Sequence, residues 1–436
     1  YSIQEQCASY WGRVILERLQ SLMQNGDSPE LDMLWVLLEE AGRPGTELPK
    51  CSIKLCQTLV ATGAIPPSLV FTLQDYLRTK PMKGGWFLLS CFAIPMPKNI
   101  DVELVLTNWN RFKNDTTGAL EEFKCKILAV VGSIVGLLDY DVRLNLASEL
   151  VDRLETFHET APVIQAMVGV VDMFKQREGP LEAVAWKKHL LDLCEANLRA
   201  CIQESPGIEH TPEQTPTLKQ LVAYLFTLGE IAQRVKRDHV TQLSVALVQT
   251  LVASSFDRLH LMVESEDENG NIHLSKAEMA VPPAVRANAF IALGKLCLQD
   301  AALAKSCIAA FARELETSPS SVVRNNVMVI MCDLTIRYTN LVENYIPKIA
   351  LCLKDESEVV RRQTLILLTN LMQEDYIKLK NGSMFFRLVY SLVDESSAIR
   401  VFAQACLDSV LAKNINANLF YNHFVELMFF LNDYRI

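Results

Sequence analysis

The chain has 436 residues, half of them hydrophobic, with 17 glycines, 17 prolines and a net charge of −9, enough apolar material for a large core and enough length for two or three domains. No apolar run reaches the roughly 18–20 residues of a membrane-crossing helix, so no membrane partner is expected, and because the sequence starts at Tyr1 rather than Met it is read as a fragment. Residues 282–436 carry 16 Lys and Arg against 15 Asp and Glu, leaving −10 for the first 281 residues, so a globally basic nucleic-acid footprint is excluded and local basic edges are expected in the C-terminal third.

In chain order, residues 1–203 read as divergent helical hairpins, with apolar residues at three- and four-residue steps and short breaks such as "EAGRPGTELPK" and "TKPMKGG". Gly84-Gly85 before Trp86 reads as a turn, and Val142-Arg143 at "DYDVRLNLASELVDRL" reads as a fifth Val-Arg helix entry beside the four that recur after residue 284. Residues 204–217, "ESPGIEHTPEQTPT", lack apolar periodicity and form a loop in which Thr211-Pro212 and Thr215-Pro216 have the form of proline-directed phosphorylation sites. Residues 218–263 read as further helical hairpin repeats, and residues 264–283, "ESEDENGNIHLSKAEMAVPP", as an acidic, mobile loop. From 284 to 436 a repeat emerges: Val285-Arg286, Val323-Arg324, Val360-Arg361 and Ile399-Arg400 each open an apolar helix, at Arg-to-Arg spacings of 38, 37 and 39 residues. A helix pair of about 40 residues per unit is the signature of HEAT and armadillo repeats. The expected fold is therefore an all-α HEAT-repeat α-solenoid, a superhelix of antiparallel helix pairs. Its last unit is incomplete, with "NLFYNHFVELMFF" as core of a further repeat.

Candidates for chemistry are sparse. Most of the 12 cysteines sit inside apolar helical runs, and the close pairs Cys51/Cys56 and Cys194/Cys201 lack a second pair at zinc spacing. Their dispersal fits a reducing compartment. A calcium loop centred on Gly270 would need acids at its ends and has Ser265 and Lys276 instead. His158, His189 and His260 lie in helical, surface-like patterns and His210 and His273 in loops, none beside a nucleophile, and no phosphate-binding glycine loop occurs. No enzyme activity, metal, cofactor or small-molecule substrate is expected.

Two sets of residues remain. Arg234, Lys236 and Arg237 cluster at one helix end, while Lys348, Lys354, Arg361, Arg362, Lys378 and Lys380 fall at turns of successive repeats. Equivalent turns line up along one edge of a solenoid, so these cations can sum into a stripe that holds a DNA backbone without reading bases. They equally suit solvated helix ends, where cations offset the helix dipole. The second set is structural: Asp355 stands six residues before Arg361 and Asp394 six before Arg400, whereas Ser318 and Ala280 precede Arg324 and Arg286. Such an Asp can cap the following helix or meet the Arg of a neighbouring repeat, making a ladder that fixes how repeats rotate. Arg362 lies outside that pattern.

Residues 281–433 resemble the HEAT domain shared by the condensin D-type subunits, through "VRNN", "LVE" and "DESEVVRRQTLILLTNL" in order. Lys378-Leu379-Lys380-Asn381-Gly382 departs from the family's pattern by one extra residue, and "IRYT" and "FFR" at Phe385–Arg387 look more like the condensin II version. The resemblance implies a non-catalytic regulatory subunit in mitotic chromosome condensation, located on the chromosome in the nucleus. It would bind the kleisin H-type subunit, reach the SMC ATPase pair through it, and contact DNA or chromatin. Another HEAT scaffold, such as a karyopherin-like transport receptor or phosphatase scaffold, is the competing reading.

Overall fold

The computed structural model describes residues 3–413, save 27, 44–47, 116–117, 203–215, 254–257, 267–271 and 378–381, together with 424 and 427–429. Thr211, Thr215, His210, Lys378 and Lys380 lie outside the described residues. Contacts divide the chain into two units, Tyr1–Trp186 and Lys187–Ile436.

The first unit is built from α1 (Ile3–Asn25), α2 (Pro29–Ala41), α3 (Leu48–Ala61), α4 (Pro67–Thr79), α5 (Lys83–Ala93), α6 (Val102–Phe112), α7 (Glu121–Ile134), α8 (Tyr140–Thr156) and α9 (Ala161–Glu178). Helices α2, α5, α7 and α9 stack side by side, while α4, α6 and α8 cover α5, α7 and α9 from a second layer. Gly84 and Gly85, read from sequence as a turn, lie in the first turn of α5. A Cβ on Gly84 would stand 2.6 Å from the Trp35 carbonyl oxygen, so the missing side chain lets α5 lie against α2. Val142-Arg143 also differs from expectation. It opens α8 in the covering layer, with Val142 only half-buried and the Arg143 guanidinium 5.6 Å from the Tyr140 ring, so it is not a fifth member of the C-terminal series.

Helix α10 (Pro180–Ile202) crosses the division between units. The second unit continues with α11 (Leu218–Ala232), α12 (Gln242–Val252), α13 (Pro283–Gln299), α14 (Ala301–Thr317), α15 (Ser321–Arg337), the single turn α16 (Thr339–Val342), α17 (Ile346–Leu351), α18 (Glu358–Gln373), α19 (Gly382–Tyr390) and α20 (Ser397–Lys413). Here α11, α13, α15, α18 and α20 stack in sequence, and α12, α14, α17 and α19 cover them, so the fold is an all-α stack of HEAT-type helix pairs. The repeat signature explains the packing. Val285, Val323, Val360 and Ile399 are each at most 1% exposed, and burying a side chain of that size contributes about 1.5–3 kcal/mol. Stacked helices bury residues toward both neighbours and toward the covering layer. Helix α15 accordingly buries Val323, Val327, Met328, Ile330, Met331 and Leu334 rather than one narrow stripe.

Of residues 264–283, expected to be a mobile loop, 264–266 and 272–279 belong instead to an antiparallel hairpin. Its strands are β1 (Leu259–Glu266) and β2 (Ile272–Met279), with Leu259 opposite Met279 and Glu266 opposite Ile272. The cause is visible in hindsight. Leu259, Leu261 and Val263 alternate with the two-residue period of a strand, and Asn269-Gly270 between the strands is a strong hairpin-turn signal. Acidic composition hid that alternation. His260, read as lying on a helical surface, is a strand residue only 9% exposed.

Helix α13 approaches α15 closely at Gly294, where a Cβ would stand 2.6 Å from Ile330 Cγ2 and 2.7 Å from Cγ1, both buried. Gly294→Ala is therefore expected to destabilise the second unit by about 1–3 kcal/mol despite the better helix propensity of Ala. Urea titration followed by circular dichroism measures it, and a neutral or stabilised variant would show that Ile330 moves aside freely.

Candidate partner-binding face

The geometry of the second unit rests on its turns. Arg324 donates from Nε and Nη2 to Asp355 Oδ2 and Oδ1 at 2.7 and 2.8 Å, and Arg361 makes the same fork to Asp394 at 2.8 and 3.0 Å. The carboxylate thus meets the arginine one repeat earlier, not the one six residues later. The later arginine binds the turn's backbone: Arg361 Nη1 donates to the carbonyls of Asp355 and Glu356, and Arg400 Nη1 to those of Asp394 and Glu395. Each Asp also accepts the backbone N–H two residues on, Ser357 for Asp355 and Ser396 for Asp394, both at 2.8 Å. Where the turn has Ser318 in place of Asp, Arg286 turns to Glu314 on α14 at 2.8 Å and to the Val252 carbonyl at 2.9 Å. Sequence reasoning missed Glu314, because the spacing from Arg286 differs from that of the other pairs.

Side chains in these forks are nearly enclosed, at 12% and 7% exposure for Arg324 and Asp355 and 11% and 8% for Arg361 and Asp394. Burial alone would push the Asp355 carboxyl up. The Arg324 guanidinium, the Ser357 N–H and the nearby Arg361 charge outweigh it and hold the group below the ordinary carboxylate range. Hydrogen bonding to Asp394 raises Arg361 further above its already high value.

The sequence-selected cations divide by what they touch. Arg361 is committed to Asp394 rather than turned to solvent, and Arg237 is held by Asp300 at 2.9 Å and by the Val240 carbonyl at 2.7 Å. Arg234 Nη1 donates to buried Glu230 at 2.7 Å, a carboxylate that also pairs with Lys295. Burial would raise Glu230, but these two cations pull it down. Lys348 reaches Glu316 at 3.0 Å, and Lys354 Nζ stands 4.0 Å from the Tyr390 ring. Lys236 and Arg362 are exposed, with the Arg362 guanidinium 6.0 Å from the Phe402 ring. The cations therefore do not form one continuous stripe among the described residues.

What does line up is the solvent face of the stacked helices. Val322 and Val359, at equivalent places in α15 and α18, are 55% and 67% exposed. One turn further along come the half-exposed amides Asn288, Asn326 and Gln363, and one turn beyond them half-exposed Ile291, Val329 and Ile366. A row of amides flanked by two apolar rows suits an extended peptide, whose backbone needs hydrogen-bonding partners and whose side chains need apolar seats. Helices about 10 Å apart match roughly three extended residues per repeat. Sequence reasoning missed these rows. Their signal was the second Val directly before Val323 and Val360, which a search for core residues passes over. Among the described residues no group of His, Cys, Asp or Glu is placed to hold a metal ion.

Residues 218–315 match a family model described as condensin-2 complex subunit D3-like HEAT repeats, and residues 322–435 match one described as non-SMC mitotic condensation complex subunit 1. The chain is 32% identical to condensin-2 complex subunit D3-L of Xenopus laevis over all of its length and 36% identical to condensin-2 complex subunit D3 of Mus musculus over 84% of it. It spans 29% and 24% of those two relatives. Among solved structures, a C-terminal fragment of the Chaetomium thermophilum cohesin loader SCC2 aligns with 96% of this chain and 34% of its own, at TM-score 0.62 and 11% identity. The S. pombe condensin Cnd3-Cnd2 subcomplex aligns with 97% of this chain and 58% of its own, at TM-score 0.53 and 10% identity.

Because the Asp355 carboxyl titrates below its unfolded value, its contribution is present above the unfolded pKa of about 3.9 and lost as pH falls through the folded one. Asp355→Asn is expected to lower stability by about 2–4 kcal/mol near neutral pH. The gap between variant and wild type should close on acidification below about pH 4. Urea denaturation across that range measures it, and a gap that stays constant would deny the carboxylate its role.

Proposed function

We infer that this chain, a HEAT-repeat stretch of a condensin D-type subunit of the condensin II kind, is non-catalytic and uses the solvent face of α13, α15 and α18 to seat a segment of the kleisin H-type subunit. The amide row at Asn288, Asn326 and Gln363 between apolar rows carries the reading. The likeness to Cnd3, solved in a subcomplex with Cnd2, supports it at the level of fold. Through that kleisin the chain would join the SMC ATPase pair, and its place of action would be the chromosome in the nucleus during mitotic condensation. The tight arginine–aspartate turns serve the same end, since a peptide crossing several repeats binds well only when the rows hold their register.

Pull-down with kleisin peptides tiled across the central region of that subunit tests the proposal. Val359→Glu and Val322→Glu lie on exposed side chains, so both are expected to leave the melting temperature unchanged while weakening peptide capture about tenfold or more, equivalent to about 1.4 kcal/mol or more. Absence of any stable peptide complex with the wild-type chain would refute it.

DNA contact is a separate part of the reading, carried by Arg362, with Lys354, Lys348 and Lys236 as further phosphate contacts. Arg362→Glu is expected to weaken a gel shift roughly uniformly across sequences and to reduce the salt slope by about 1. An unchanged salt-sensitive shift removes Arg362 from the interface.

A further inference from the structure

Ser318 occupies the place that an aspartate fills in the next two turns. Its backbone is extended, at φ −68° and ψ 127°, like Asp355 at −62° and 148° and Asp394 at −56° and 152°. Its carbonyl accepts Arg324 Nη1 at 2.8 Å, as those of Asp355 and Asp394 accept Arg361 and Arg400 at 2.9 and 2.7 Å. A serine follows two places on in every case, at Ser320, Ser357 and Ser396. Spacing from the preceding repeat's arginine matches too: Arg286 to Ser318 spans 32 residues, between the 31 and 33 of the two forks.

What this turn lacks is the anion. Ser318 is 6% exposed, and among the described residues its Oγ has no hydrogen-bond partner. Arg286 Nη2 meanwhile donates to Glu314, one helical turn before Ser318, whose N–H donates to the Glu314 carbonyl at 3.0 Å. The arginine that would complete a fork is thus already held beside this turn. Pro319 follows directly and is exposed. An extended serine before a proline is the local form that proline-directed kinases take.

We propose that Ser318 is a phosphorylation site, and that its phosphate supplies the missing fork by drawing the Arg286 guanidinium from Glu314. A proline-directed serine kinase transfers the γ-phosphoryl group of ATP to Ser318 Oγ. The O–H bond breaks, a P–O bond forms, ADP leaves, and the hydroxyl proton passes to the kinase's general base. The product carries about 1.5–2 negative charges and three strong acceptor oxygens, suited to a guanidinium. Glu314 and Glu316 are the acids it must stand beside, and Lys348 already holds Glu316 at 3.0 Å. Because the hydroxyl is covered in the folded turn, transfer proceeds when the turn opens locally, which costs less than unfolding the unit. Once charged, the group ties the turn to the preceding repeat.

Two measurements on the full chain test it. After incubation with ATP and a proline-directed serine kinase, fragmentation mass spectrometry is expected to place phosphate on Ser318. Phosphate found only at other sites, such as Thr211-Pro212, would overturn the proposal. Ser318→Asp puts a carboxylate where the later turns have one. It is expected to raise the melting temperature by about 2 °C, and to give no rise when Arg286→Gln is also present. No rise at all, or the same rise without the arginine, overturns the pairing. Should Arg286→Gln fail to fold, Glu314→Gln removes the arginine's present partner instead. Adding Ser318→Asp is then expected to restore at least half of the melting temperature lost, and no recovery counts against the proposal.

Discussion

A two-point fork between an arginine on one helix and an aspartate in the next repeat's turn sets the geometry of the second unit. Two parallel N–H···O bonds fix an angle as well as a distance. The same aspartate oxygen that takes an arginine N–H also takes the backbone N–H two residues on. The neighbouring arginine meanwhile holds the turn's carbonyls. Turn conformation and inter-repeat rotation are therefore settled by one set of atoms, and neither can relax without the other. Enclosed charge pairs are expensive to desolvate, and apolar substitutes of equal volume often match them for stability. Specifying rotation is what an apolar contact does less well.

That division of labour frees the helix faces. Valine and isoleucine at the Val-Arg positions supply the core, the forks supply orientation, and the outward positions are left to carry amides and exposed aliphatics. Buried charge elsewhere behaves similarly. Lys124, 2% exposed, is satisfied by Glu159 at 2.8 Å, and Arg153 binds the same carboxylate at 3.2 Å. In both units several cations prominent in the sequence are thus internal ties: in the basic cluster Arg234, Lys236 and Arg237 the two arginines hold carboxylates while Lys236 is exposed.

Much of the fold was legible because HEAT packing writes itself at a fixed interval. The four Val-Arg and Ile-Arg positions locate α13, α15, α18 and α20 without any structure. Where local sequence misled, a specific competing effect won. Gly84-Gly85 looked like a turn because glycine's backbone freedom was weighed above its small size, and α5 needs the latter to reach α2. The hairpin at 259–279 was hidden by its acids. The candidate site was less legible. A six-residue spacing is visible on paper, but the partner that matters lies 31 or 33 residues away and depends on how repeats stack. Exposed valines become a row only once the helices are side by side.

The pairing of Arg286 carries a mechanical consequence. Its partner, Glu314, has one more rotatable bond than an aspartate, sits on a helix rather than in a turn, and receives one guanidinium hydrogen bond instead of two. By ion pairing alone, the joint between α13 and the repeat that follows therefore carries less rotational constraint than the two joints after it. Rotation there is set by packing instead: the bare Cα of Gly294 lets α13 meet Ile330 of α15 more closely than any larger residue would allow, so this joint is held by shape where the next two are held by charge.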